Sequence, residues 1–151
     1  MKFYQQLFRK KVSQIEFITT NKILPMSRLE SLKPTNNTKK HCTFTRIAAE
    51  YALKSNSTRY KHGAVIVHRG KVISGGCNEY PTKKLGFIER PHNSVHGEVS
   101  AIVNTPNKNI LSECVLYVVR VSKNGSLMSS KPCQQCENVI TKYNIRRVIY
   151  T

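Results

Sequence analysis

The first strong hydrophobic pattern along the chain lies just after residue 43. Five apolar side chains follow one another at helical spacing, namely Phe44, Ile47, Ala48, Tyr51 and Ala52. Side chains three and four residues apart share one face of a helix, so this spacing predicts an amphipathic helix with one buried side. We therefore expect the globular part of the chain to begin at about residue 43.

The pattern that follows is typical of a β-hairpin. Residues 63–68 are apolar and rich in β-branched side chains, and residues 72–74 repeat that character after the polar turn at residues 69–71. β-Branched side chains favour strands, and glycine in a short polar turn favours a reversal of the chain. The sequence therefore predicts two neighbouring antiparallel strands.

The second half of the chain alternates between helical and strand patterns. Residues 97–103 predict a helix, residues 115–121 a strand, residues 133–143 a helix and residues 147–150 a strand. The Asn124-Gly125 dipeptide is typical of a tight hairpin turn. This order predicts an α/β fold, with a three-layer α/β/α arrangement around a mixed central sheet. The last strand follows a helix, so we expect it to be parallel to its neighbour.

Residues 1–42 differ from the rest and are predicted to be a basic N-terminal extension or linker, with residues 43–151 as the folded domain. Prolines at positions 25 and 34 and the polar run at residues 35–40 are typical of a linker. A flexible tail is one interpretation, and an organelle transit peptide is the other. No run approaches the roughly 20 apolar residues of a membrane helix, and no secretory signal is recognisable, so we expect a cytoplasmic protein without membrane contact.

Charge is the dominant bulk property of the chain. Lys and Arg total 25 against 8 acidic residues, which gives a formal net charge of +17. Residues 1–40 and residues 41–151 are both basic, so the excess is not confined to one end. Such a charge favours anionic partners, either nucleotides or nucleic acid, although solubility alone is a competing interpretation. The 5 cysteines cannot all pair, so we expect reduced thiols.

Two of these cysteines form a Cys-x-x-Cys pair, Cys133 and Cys136, at the start of a predicted helix. Residues at that spacing share one helical face, so both sulfur atoms can reach one metal ion. The partial positive charge of a helix N-terminus favours the thiolate form that a metal requires. Taken alone the pair is ambiguous, because it also fits a redox pair, half of a structural zinc site or two buried small residues.

A His-x-Glu sequence upstream, His96 and Glu98, changes this interpretation. One histidine and two cysteines leave zinc a fourth position for water, which is the arrangement of catalytic zinc sites. Glu98 lies two residues from a ligand and could reach that water without binding the metal. We therefore predict that Glu98 takes a proton from the water and passes it to a leaving group.

The His96-Gly97-Glu98 sequence followed by Pro132-Cys133-Gln134-Gln135-Cys136 resembles the zinc-binding pattern of the cytidine and deoxycytidylate deaminase superfamily. The resemblance extends over about residues 43–151. It implies a cytidine deaminase-like fold and a hydrolysis in which water replaces the amine of a nucleobase and ammonia leaves. It also implies one zinc ion per subunit and a dimer or larger homo-oligomer.

The resemblance leaves the substrate open. A histidine first ligand looks more like the deoxycytidylate and tRNA branches, so a nucleotide such as deoxycytidylate is the leading expectation and a base within nucleic acid the alternative. A non-catalytic, nucleic-acid-binding zinc module would need a fourth protein ligand, for example His62 or His92. Asn78 stands where the family often uses an asparagine to bind substrate, and a structural turn residue is the competing interpretation.

Overall fold

The computed structural model of the protein describes residues 16–19, 22–24, 36–80 and 94–151, with side chains from residue 40 onward. The helices are α1 (Asn36–Leu53), α2 (Gly97–Val103) and α3 (Gln134–Lys142), with a 3-10 helix at Lys108–Glu113. The strands are β1 (Glu16–Thr19), β2 (Lys22–Leu24), β3 (Lys61–His68), β4 (Lys71–Cys77), β5 (Val115–Val121), β6 (Leu127–Met128) and β7 (Arg147–Tyr150).

Within the described residues, one seven-stranded sheet runs in the order β2-β1-β7-β5-β3-β4, and β6 pairs with β5. β5 and β7 are parallel, and every other pair is antiparallel. The predicted hairpin is confirmed as β3 and β4, and the predicted Asn124-Gly125 turn is confirmed between β5 and β6, where Gly125 has φ +80°. The mixed sheet and its final parallel strand are therefore as the sequence predicts.

Helices cover both faces of this sheet, which confirms the three-layer arrangement. Side chains alternate between the faces of a strand, so each strand contributes to two separate cores. On one face the strand residues Ala64, Ile66, Leu116 and Val118 pack with Ala101 and Ile102 of α2 and Ile140 of α3. On the other face Val65, Val67, Tyr117 and Val119 pack with Ala48, Ala49 and Ala52 of α1.

Glycines let two helices lie directly on the sheet. A Cβ added to Gly63 of β3 would lie 2.1 Å from the Ala48 carbonyl oxygen of α1. A Cβ added to Gly76 of β4 would lie 2.6 Å from the Ala101 backbone nitrogen of α2. Both distances are far below van der Waals contact, so these strands approach the helix backbones only because no side chain intervenes.

The N-terminal region contains more regular structure than the sequence predicts. β1 pairs with the final strand β7, and α1 begins at Asn36. The expectation of a linker at residues 36–40 is therefore wrong, because α1 includes these residues and polar residues are also compatible with the first turns of a helix. The boundary predicted between residues 42 and 43 falls inside α1. The division into an extension and a catalytic domain stays a prediction.

None of the helices in the described part of the chain combines the length and the apolar character needed to cross a membrane. α1 is the longest of them, and its lysines and its arginine leave it too polar for a bilayer. Its apolar residues are instead buried against the sheet.

Candidate metal centre

Two helix N-termini meet at one edge of the sheet and bring the predicted ligands together. β4 and β5 are both antiparallel to β3, so they run in the same direction and end at the same edge. α2 follows β4 and α3 follows the β5–β6 hairpin, and both helices pack on the same face. His96 occupies the N-cap position of α2 and Cys133 that of α3, and Cys136 lies in the first turn of α3.

The distances between the three donor atoms fit one zinc ion. The His96 Nδ1 atom lies 3.3 Å from the Cys136 Sγ atom and 3.5 Å from the Cys133 Sγ atom. A tetrahedron with Zn–S bonds of about 2.3 Å and Zn–N bonds of about 2.0 Å has N-to-S edges of about 3.5 Å. All three donor atoms lie within 4.8 Å of one another. His96, Cys133 and Cys136 are therefore positioned to bind a metal ion, and imidazole with two thiolates suits zinc.

The three ligands differ in their exposure to solvent. Cys136 is buried at 1% exposure, His96 is partly buried and Cys133 is exposed. In the part of the chain that the structure describes, no fourth histidine, cysteine or acidic residue joins this group. His62 is described and is not a member, whereas His92 lies outside the described residues. The described residues therefore supply three ligands, one fewer than the four protein ligands of a closed structural zinc site.

Glu98 is buried beside the three ligands, with 3% of its surface exposed. Burial raises the pKa of its carboxyl group, and contact with Cys136 and the nearby His96 ring partly offset that rise. Burial also raises the pKa of the Cys136 thiol, and the negative charges of Glu98 and Cys133 raise it further. A thiolate at Cys136 therefore needs a neighbouring cation, which a metal ion supplies.

Asn78 has a structural task that its sequence context does not reveal. Its Oδ1 atom accepts a hydrogen bond from the His62 backbone N–H at 2.7 Å, and its Nδ2 atom donates to the Tyr60 carbonyl at 3.0 Å. Its own carbonyl accepts from the Ser55 hydroxyl at 2.6 Å. These bonds fix the segment that leads into β3. The predicted contact between Asn78 and substrate stays a prediction.

Sequence reasoning missed a second polar group on this face of the sheet. Arg120 stacks on the Tyr60 ring, with its guanidinium carbon 3.9 Å from the ring centroid. Burial, followed by the charges of Arg120 and His96, lowers the pKa of His62 to about 4, so the His62 ring is neutral near pH 7. The available signal was a single charged residue in the otherwise apolar strand β5.

Comparisons with known proteins agree with this geometry. The family model of the cytidine and deoxycytidylate deaminase zinc-binding region matches residues 38–151. A probable deoxycytidylate deaminase from Caenorhabditis elegans is 28% identical over 123 residues, which cover 74% of this chain and 57% of the nematode protein. The deoxycytidylate deaminase of Mycobacterium phage D29 is 27% identical over 126 residues, which cover 71% of this chain and 90% of the phage protein. The chain thus spans little more than half the length of the nematode relative.

Among solved structures, the fold is similar to that of dCMP deaminase from the cyanophage S-TIM5. The apo form superposes with a TM-score of 0.51 at 20% identity, and the match covers 76% of this chain and 80% of the cyanophage protein. A structure of that cyanophage enzyme in complex with dCMP and dUMP superposes with a TM-score of 0.50 at 18% identity, covering 74% of this chain and 78% of that protein. At these identities the likeness establishes the fold.

Proposed function

Because this chain belongs to the family of zinc-binding cytidine and deoxycytidylate deaminases, we propose that it is a hydrolase that converts dCMP to dUMP with release of ammonia. The observation that carries this proposal is the convergence of His96, Cys133 and Cys136 beside the buried Glu98. Three protein donors among the described residues match a catalytic zinc site, because a closed structural site has four protein donors.

The protein residues have distinct tasks in this proposal. Bound zinc would acidify a water molecule, which is the usual contribution of such an ion to hydrolysis. Glu98 accepts a proton from that water and donates a proton to the departing amine. In the overall reaction, the oxygen of water adds to the ring carbon that bears the amine, the carbon–nitrogen bond breaks and ammonia leaves.

The substrate class is proposed from the relatives and from charge. Both curated relatives are named as deoxycytidylate deaminases, and the cyanophage enzyme was solved with dCMP and dUMP. The net charge of +17 favours an anionic substrate over a neutral nucleoside. Asn78 is proposed as a further substrate contact, because its remaining Nδ2 hydrogen has no partner among the described residues.

The oligomeric state and the cellular location of the protein are also proposals. We expect a homo-oligomer, which sedimentation of the full chain tests directly. We expect the protein in the cytoplasm, and fractionation of the cells that produce it tests that expectation.

An ammonia-release screen with the purified zinc-loaded protein tests the proposed function. The screen includes dCMP, CMP, deoxycytidine, adenosine nucleotides, guanosine nucleotides and a cytosine-containing oligonucleotide. The expected result is ammonia from dCMP at the highest kcat/KM, lost on zinc removal by a chelator and restored by zinc. Ammonia from the oligonucleotide alone, with affinity falling steeply as salt rises, would instead identify a nucleic-acid deaminase. Release of ammonia from no substrate would overturn the proposal.

A further inference from the structure

Arg120 lies on the same face of the sheet as the metal centre. Alternate residues of a strand point to the same face, and Leu116 and Val118 of β5 pack against α2 and α3. Two residues further along the strand, Arg120 continues that face at the end of β5. Because β5 ends at the edge where His96 and Cys133 meet, the guanidinium belongs to the same end of the molecule as the three ligands.

Backbone contacts connect Arg120 to the metal centre through a single strand, β3. Arg120 pairs in register with His62 of β3, and cross-strand partners have Cα atoms about 4.5–5.5 Å apart. The His62 carbonyl in turn faces the start of α2, because a Cβ added to Gly97 would lie 3.2 Å from the His62 oxygen. Gly97 directly follows the ligand His96. A small ligand at the metal centre is thus within reach of the Arg120 side chain.

The guanidinium has no anionic partner in the part of the chain that the structure describes. The ion pairs found there involve Arg46, His68 and Arg69, and none involves Arg120. The Arg120 Nε atom is buried and makes no hydrogen bond to any described residue. Stacking on Tyr60 fixes the plane of the guanidinium but satisfies none of its N–H groups. Arg120 is partly buried, and a guanidinium held in place with free N–H groups is suited to bind an anionic oxygen group.

We propose that Arg120, held against the Tyr60 ring, binds the phosphate of the nucleotide substrate and so selects the nucleotide over the nucleoside. This inference rests on the proposed function, because phosphate is the group that gives dCMP its charge. Arginine suits the task, since its planar fork can donate two parallel hydrogen bonds to phosphate oxygens. Tyr60 acts as a positioning residue and is itself 52% exposed, so the stacked pair is open to solvent on one side.

An Arg120→Gln variant tests the proposal through both turnover and binding. We expect kcat/KM for dCMP to fall about 10- to 100-fold, which is typical for loss of a charge-assisted hydrogen bond. We expect kcat/KM for deoxycytidine and the zinc content to stay unchanged. Calorimetric titration with dUMP should show the same loss of affinity, whereas deoxyuridine should bind both proteins equally. Inorganic phosphate should compete with dUMP for the wild-type protein and should not bind the variant.

Two further variants separate binding from general effects of charge and structure. Arg69→Gln removes an arginine at the opposite end of β3, where the side chain is 80% exposed, and should leave dUMP binding intact. Tyr60→Leu should raise KM for dCMP with little change in kcat. Tyr60→Phe should have the wild-type KM, because the aromatic ring that Arg120 stacks on remains.

The results of these experiments can contradict the role of Arg120 without contradicting the proposed deaminase function. If wild-type protein converts dCMP but Arg120→Gln binds dUMP as tightly as wild type, Arg120 is not the phosphate ligand and the deaminase proposal stands. Equal binding of dUMP and deoxyuridine by wild-type protein would also overturn the inference. Selective loss of oligonucleotide binding in Arg120→Gln, with dUMP binding unchanged, would assign the residue to a polynucleotide and contradict it. Failure of wild-type protein to release ammonia from any substrate overturns the proposed function itself.

Discussion

Replacement of Glu98 by glutamine is expected to reduce kcat for dCMP by about 10²- to 10⁴-fold, the usual contribution of a general acid–base residue. Glutamine has nearly the same shape as glutamate, but it can neither accept a proton from water nor donate one to the departing amine. Glu98 is not a member of the metal-binding group, so the zinc content of the variant should equal that of wild type. Ammonia release and zinc analysis on the same sample measure both quantities.

Glu113→Gln is the matched control for this experiment. Glu113 is exposed at the end of the 3-10 helix and contacts His68 and Arg69, away from the metal centre. Its replacement should leave kcat for dCMP unchanged. A Glu98→Gln protein with wild-type turnover would contradict the assigned role, and a variant that lost its zinc would show that Glu98 supports the ligands.

Replacement of Gly63 by alanine is expected to lower the free energy of unfolding by about 3 kcal/mol or more, towards the upper end of overpacking substitutions. The added Cβ would lie 2.1 Å from the Ala48 oxygen and 2.2 Å from the Ala52 nitrogen. Both are backbone atoms of α1, so no side chain can rotate away and the helix must move off the sheet. Urea denaturation followed by circular dichroism measures the loss.

Gly70→Ala provides the comparison for that substitution. Gly70 has open space around its Cα atom but a φ of +78°, so the same change there should cost only about 1 kcal/mol. A loss at Gly63 no larger than the loss at Gly70 would contradict the close approach of α1 to β3, because Gly63 has no positive φ that could add to its cost.

Hydrophobic periodicity predicts the central elements of this fold because each has a face that must be buried. Phe44, Ile47 and Tyr51 pack against one core from α1, as their spacing predicts. The alternation of β5 is equally visible, since Leu116 faces one core and Tyr117 the other. The residues of the metal centre are also recognisable, because a histidine and two cysteines at two helix starts have few other uses.

The strands that the sequence did not predict are too short to show a clear hydrophobic pattern. β1 has four residues and β2 has three, so neither is long enough to show a period. The pairing of β1 with β7 joins segments at opposite ends of the chain, and local pattern contains no information about such contacts. The role of Asn78 in fixing residues 60–62 likewise depends on tertiary contacts.

The position of Arg120 can be predicted from the sequence in part. Its face of β5 follows from alternation alone, because it lies two residues after Val118 and four after Leu116. Its stacking on Tyr60, and the lack of a partner for its Nε atom among the described residues, depend on the arrangement of neighbouring strands. The single charged residue in this otherwise apolar strand is the sequence signal behind the proposed phosphate contact.

The central claim is that His96, Cys133 and Cys136 hold one zinc ion whose fourth position is open to water. Zinc K-edge X-ray absorption of the purified wild-type protein tests it most directly. We predict two sulfur neighbours at about 2.3 Å, one imidazole nitrogen at about 2.0 Å and one further light atom that is not part of an imidazole ring. A spectrum with two imidazoles and two sulfurs would show a closed structural site, and a protein that binds no zinc in metal-replete cells would contradict the claim outright.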